Sequence, residues 1–145
     1  MTQPAWLRWG ALATCLVGLG ASAYLTYEHY SASTTLACPE TGAINCVKVT
    51  TSSYAELFGV PVALLGLLFY AGMTVLCLPP AWSVRTPWAG RVRLLGAVTG
   101  VVLVLYLVWA ELFRIDAICL WCTAVHVATV VLFGLLVVGV ALQEA

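Results

Sequence analysis

AICLWCTAVHVATVVLFGLLVVGVALQ, residues 117–143, holds no Asp, Glu, Lys or Arg across 27 positions. A helix needs roughly 17–25 predominantly apolar residues to cross a bilayer. The stretch therefore reads as a transmembrane helix over about 118–142. It opens on Cys119-Leu120-Trp121-Cys122, which sets two thiols at one end of a membrane span.

Three further runs lack charge: Trp9–Tyr27, Leu57–Val84 and Leu94–Ala110. Only 8% of the 145 residues are charged, 63% are apolar, and the formal net charge is zero. Soluble domains carry about 25% charged residues. Such a composition excludes a soluble enzyme with a large polar cleft. It also excludes a nucleic-acid binder, which needs basic patches. The chain is predicted to be an all-α membrane protein, one integral membrane domain over 1–145. Its expected form is a four-transmembrane-helix bundle with spans of about 9–27, 60–78, 94–113 and 118–142. Pro61 suits a first helical turn, and Pro79-Pro80 closes the second span. Only about Arg114–Ala117 separates the third span from the fourth, which implies an antiparallel hairpin. The alternative for the first span is a cleaved signal peptide ending at Ala21-Ser22-Ala23, although apolar and aromatic residues continue to Tyr27.

Lys and Arg in short loops set orientation. Arg8, Arg85, Arg91 and Arg93 fall on one side, Lys48 and Arg114 on the other. This predicts a multi-pass protein of the cell (inner or plasma) membrane with both termini cytoplasmic. The outer loop, 28–59, and the 114–117 turn then lie outside. Trp6, Trp9, Tyr27, Tyr30, Trp82, Trp88 and Trp121 fall near span ends, as an aromatic belt would. Within the outer loop, Ser53-Tyr54-Ala55-Glu56 fits a capping box, with Ser53 as cap and Glu56 reaching back. It predicts a short amphipathic half-helix stopped by Gly59; the alternative is an irregular polar loop.

The six cysteines fall into three groups. Cys15 and Cys77 lie inside apolar runs and read as small hydrophobes. Cys38 and Cys46 flank seven residues of the outer loop. Cys119 and Cys122 lie at the outer end of the fourth span. An extracytoplasmic compartment permits disulfides. On a first helical turn, unpaired N–H groups and the positive dipole end favour thiolate, the attacking species in exchange. Asp116 is the expected N-cap, with a charge that would partly oppose thiolate formation. Redox-active pairs, static structural disulfides and a four-sulfur metal site are the three readings, the last disfavoured by the seven-residue separation. His126 lies four residues after Cys122, on one helix stripe with both thiols. It is either a functional group of the membrane interior or a packed, hydrogen-bonded histidine. Beyond His126 the spans are expected to hold no charged or histidine partners. His29 is expected at the interface.

In order and content, these residues resemble the vitamin K epoxide reductase family, in particular its bacterial homologues. The resemblance is carried by Cys38, Cys46, Val49, Ser52, Tyr54-Ala55, Gly59, Pro61, Gly66 and Cys119-Leu120-Trp121-Cys122. It extends to Ala23-Tyr24-Leu25-Thr26 and His29-Tyr30. It implies a four-helix bundle around a quinone, ubiquinone or menaquinone. It also implies a membrane thiol–disulfide oxidoreductase supporting disulfide bond formation. By position, Cys122 would face the quinone, Cys119 would exchange with Cys46, and Cys38 would take electrons from a thioredoxin-fold partner outside the membrane. Ser52 matches a serine near the family's active site. Val62 and His126 stand where animal members have an asparagine and a tyrosine against the vitamin K ring. Val62 cannot donate a hydrogen bond, so animal-type epoxide reduction is not implied, while His126 can replace the tyrosine as ring partner. Many bacterial members carry a fused thioredoxin-like domain. Here the sequence runs to Ala145, so the expected partner is a separate protein. No resident metal is expected, no nucleic acid is a partner, and lipid is the surroundings. The rival four-helix disulfide-generating family has its two cysteine pairs in the opposite order. The rival from another class is a small metal-binding or metal-transporting membrane protein using its cysteines as ligands.

Overall fold

A computed structural model describes residues 3–31, 36–83 and 87–144. The chain is an all-α membrane protein. Its principal helices are α1 (Ala5–Ser31), α3 (Val62–Cys77), α5 (Pro87–Ala110) and α6 (Leu120–Glu144), and a π-helical turn, Glu111–Ile115, extends α5. The shorter elements are α2 (Cys46–Thr50), a 3-10 turn (Ser53–Ala55), the two-residue strands β1 (Glu56–Leu57) and β2 (Val60–Pro61), and α4 (Pro79–Ser83). Ala5–Ser31, Trp88–Ile115 and Leu120–Gln143 are long and apolar enough to cross a membrane. Helix α3 is equally apolar but has 16 residues. At about 1.5 Å per residue it falls short of a typical hydrocarbon core. Its end is dictated by sequence: the residue before a proline is pushed out of the helical region, and Leu78, ahead of Pro79, is extended at φ −56°, ψ 142°.

The long helices overrun the limits drawn from charge-free runs. Helix α1 continues to Ser31 and α5 begins at Pro87. Charged residues end an apolar run without ending a helix. Arg91 and Arg93 accordingly lie inside α5 and Arg8 inside α1, not in loops; Arg85 lies outside the described residues. Arg93 is buried. Its Nε donates to the Leu76 carbonyl and an Nη to the Ala81 carbonyl, both at 2.7 Å. The guanidinium lies 4.2 Å from the centre of the Trp82 ring. Trp82 Nε1 donates to the Cys77 carbonyl at 3.0 Å. The bonds to Leu76 and Cys77 satisfy carbonyls that the end of α3 would otherwise leave without partners, and the bond to Ala81 ties α4 to α5.

The outer segment departs from the expected capping box. The helix there is α2, capped by Asn45, whose Oδ1 accepts the Lys48 N–H at 2.8 Å. Ser53 starts only a 3-10 turn, and Glu56 is extended, paired with Pro61 across a hairpin. The turn between the strands explains this. Phe58 and Gly59 both have positive φ, 54° and 79°, the geometry of a two-residue hairpin. It draws Glu56 into a strand, where its side chain cannot reach back to Ser53. Residues 32–35 of the expected outer loop lie outside the described residues.

Helix α1 packs chiefly on α3 and α6, and α5 on α6; α3 and α5 touch far less. Small residues let the first helices approach. The wholly buried Tyr70 ring occupies the space that a Cβ on Gly18 would need. Its hydroxyl donates to the Val125 carbonyl (3.1 Å) and lies 2.8 Å from the Thr129 hydroxyl, so one tyrosine joins α1, α3 and α6. Cys15 and Cys77 are buried in the same apolar core. Gly18→Ala is expected to cost about 1–3 kcal/mol by overpacking, seen as a lower midpoint in thermal unfolding of the purified protein. Gly20→Ala, with nothing within 4 Å of the added carbon, is expected to leave the midpoint in place.

Candidate functional site

The site begins with backbone pairing at the start of α6. Ile118 N–H donates to the Ala43 carbonyl at 2.8 Å, and its own carbonyl accepts the Asn45 N–H at 3.0 Å. Ile44 and Ile118 thereby form a parallel bridge. Cys46 follows Asn45 and Cys119 follows Ile118, so the same pairing carries the two cysteines together. Both are fully buried in one cluster with Val49, Ala110, Ile115 and Ala117. Cys38 and Cys122 pack on its edges.

Cys38 and Cys46 form a disulfide, and Cys119 and Cys122 are free thiols. Cys38 is half-buried. The stretch before it is clamped from two sides. Trp121 Nε1 donates to the Ala37 carbonyl (3.0 Å), and the Ala37 N–H donates to the Tyr24 hydroxyl (3.1 Å). The two rings pack with centroids 4.6 Å apart. Trp121, expected in an aromatic belt, is thus a clamp on the loop disulfide.

The expected N-cap is also different. Asp116 has left-handed geometry (φ 54°) and closes the π-helical turn. The capping position belongs to Cys119 itself. Its carbonyl accepts the Thr123 N–H (2.8 Å) and its Sγ accepts the Cys122 N–H (3.2 Å). A sulfur thus takes the part usually played by a serine or aspartate oxygen. Cys119 stands one residue ahead of the candidate span Leu120–Gln143. The Cys122 thiol and the helix N–H groups hydrogen-bonding to it hold its pKa below that of an ordinary thiol, against burial and the charge of Glu111.

Cys122 opens onto a cavity of about 330 Å³ between α3 and α5, floored by α6. Its lining is mostly apolar. Ser52, Val62 and His126 all reach it, as do His29 and Glu111. Ser52 donates its hydroxyl to the Val49 carbonyl at 2.7 Å, which ties it to α2. The extra turn of α1 to Ser31 brings His29 to the cavity, where an interfacial position was expected. Glu111 corrects the expectation that the spans hold no charged partner besides His126. It is 6% exposed, inside Trp88–Ile115. The signal was available: it is the only acidic residue between Leu94 and Phe113, eight positions before Cys119. Among the described residues, no three His, Cys, Asp or Glu side chains are grouped to hold a metal ion.

The profile of the vitamin K epoxide reductase family matches residues 9–137. The chain belongs to that family. It is accordingly a membrane oxidoreductase with a disulfide-forming cysteine pair. The match spans every element of the site, from α1 through the cysteines to most of α6.

The packing of Cys46 against Cys119 is directly testable. In a Cys38→Ser, Cys122→Ser variant these two are the remaining thiols of the site, and they are expected to bridge on mild oxidation, read by mass spectrometry. Adding Ile118→Pro removes the N–H that holds Ala43. One hydrogen bond is worth about 1 kcal/mol net, so bridging is expected to fall about fivefold.

Proposed function

We propose that this protein oxidises the dithiol of an extracytoplasmic thioredoxin-fold protein and passes the electrons to a membrane quinone, ubiquinone or menaquinone, in support of disulfide bond formation. One observation carries the reading: the four cysteines form a single series from a solvent-exposed surface to an apolar cavity. Cys38 is half-exposed, Cys46 and Cys119 are closed to solvent, and Cys122 faces the cavity.

Each residue has a task on this reading. The partner's thiolate attacks Cys38, freeing Cys46; the partner's second thiolate then attacks that mixed disulfide, closing the partner's own disulfide and releasing Cys38. Cys46 attacks Cys119 of an oxidised helix pair and frees Cys122. Cys38 resolves the bond between Cys46 and Cys119, leaving the helix pair as two thiols. That pairing, with Cys38 joined to Cys46 and the helix thiols free, is the one present here. Trp121 and Asn45 keep the loop against the helix, and the cap geometry favours thiolate at Cys119. Exchange depends on thiolate character and access, and both are supplied locally.

The cavity fits a quinone head group. Its volume lies at the lower end of ligand pockets, about 300–1,000 Å³, which are apolar with a few placed polar groups. Val62 and the neighbouring apolar side chains would hold the ring, and His126 supplies a hydrogen-bonding nitrogen. A bound quinone supplies a two-electron, two-proton acceptor. Helix α3 is read as a span as well, the second of four, with both termini cytoplasmic and the cysteines on the outer side. Its shortness is met by local thinning or by protein neighbours.

The deciding experiment is quinone reduction by the purified protein given a reduced thioredoxin-fold substrate. Cys122→Ala is expected to abolish turnover, and Cys15→Ala, remote from the site, to leave it unchanged; activity surviving in Cys122→Ala overturns the reading. His126→Phe is expected to weaken quinone binding by about tenfold, the worth of a hydrogen bond of about 1.4 kcal/mol, measured as Kd.

A further inference from the structure

Glu111 has no task in the sequence of thiol exchanges above, yet it is a carboxyl buried in the membrane segment beside both helix thiols. Its backbone carbonyl accepts the N–H groups of Asp116 and Ala117. Those bonds account for the local fold and leave the side chain unused. The carboxyl faces the Cys119 N–H, and its charge acts on both Cys119 and Cys122. Among the described residues no side chain pairs with it. Arg114, three positions on, is turned away: its Nε donates to the Tyr54 hydroxyl at 2.8 Å and its guanidinium lies over Trp109. A second hollow, between α5 and α6, is lined by Glu111, Thr123, His126 and apolar residues. Among the described residues, Glu111 and His126 are the titratable side chains common to both hollows.

We propose that Glu111 is the proton carrier of the buried dithiol. The idea rests on the quinone reading above. Closing the Cys119–Cys122 bond removes two protons and two electrons from the thiols, and the quinone takes up both to become quinol. The electrons pass through sulfur. The protons must cross a mostly apolar wall, and an ionisable group in a membrane interior is costly to keep. Glu111 takes the two thiol protons in succession as the disulfide forms and releases each toward the quinone site, so it is unchanged over the cycle. The groups that face it are Cys119, Cys122 and His126 from the start of α6. Across the cavity are His29 of α1 and Tyr54 of the 3-10 turn. Cys46 of α2, in its disulfide, carries no proton.

Glu111→Gln keeps the shape and removes the proton site. In the full-length protein, turnover with quinone is expected to fall on the order of 100-fold, the range of general acid–base catalysis. The pH profile of the Cys119 thiolate, read as the ultraviolet thiolate absorbance that Cys119→Ser removes, is expected to move to lower pH, because a negative charge beside the thiolate is gone. Glu111→Asp is expected to recover part of the turnover. Wild-type turnover together with an unmoved thiolate profile in Glu111→Gln overturns the proposal. A wild-type protein that reduces no quinone overturns the functional reading instead; a shifted thiolate profile then still supports the coupling of Glu111 to the dithiol.

Discussion

The two backbone hydrogen bonds of Ile118 are the constraint on which the site depends. A loop at a membrane edge has few ways to satisfy its N–H and C=O groups, and a buried, unpaired one is costly. Ala43 and Asn45 meet that demand by pairing with Ile118. The pairing fixes the register of the loop on the helix start, and the next residue on each strand is a cysteine. No contact between sulfurs is needed to bring the two together. Trp121 adds a second tie from inside the Cys-x-x-Cys motif, so the motif's spacer residues are as structural as its cysteines are chemical.

The cavity follows from an imbalance in packing. Gly18 lets α1 and α3 close around Tyr70, and that ring is anchored to α6 through Val125 and Thr129. Helix α5 leans on α6 and leaves α3. The gap between α3 and α5 is the cavity. The π-helical turn at its outer end adds a residue to one turn and places Glu111 against the start of α6. Such turns recur at functional sites, and here the residue it presents is the one acidic side chain of the segment.

Much of this was legible in the sequence. The four apolar helices follow from runs free of charge, and the cysteine groups from their positions in those runs. Cys122, Ser52, Val62 and His126 line one cavity. Local patterns misled where tertiary context outweighed them. Ser53 and Glu56 match a capping box, but the Phe58-Gly59 turn fixes Glu56 in a strand. Asp116 is a good N-cap residue three positions before Cys119, yet the chain spends it on closing a π-helical turn, and a sulfur caps instead. Glu111 was passed over although the expected third span, about 94–113, contained it, because only the charge-free part of that run was read for chemistry. Its burial depends on the π-helical turn that sets Glu111–Ile115 against the start of α6, which charge counting cannot reveal.

The series from Cys38 to Cys122 joins two media. Cys38 at one end is half-exposed, Cys122 at the other faces an apolar cavity, and Cys46 and Cys119 between them are sealed. Thiol exchange crosses such a seal easily, because it needs only one sulfur within reach of the next. Protons do not cross it by the same steps: a thiolate freed in an apolar wall is an uncompensated charge until a proton arrives. A chain with only 8% charged residues has few groups for that purpose, and most of its charges lie at helix ends or in loops. Glu111 and His126 are the exceptions on the cavity wall. On the proposed reading, the dryness that would suit the cavity to a lipid-soluble acceptor is what would make a buried carboxyl beside the thiols worth its cost.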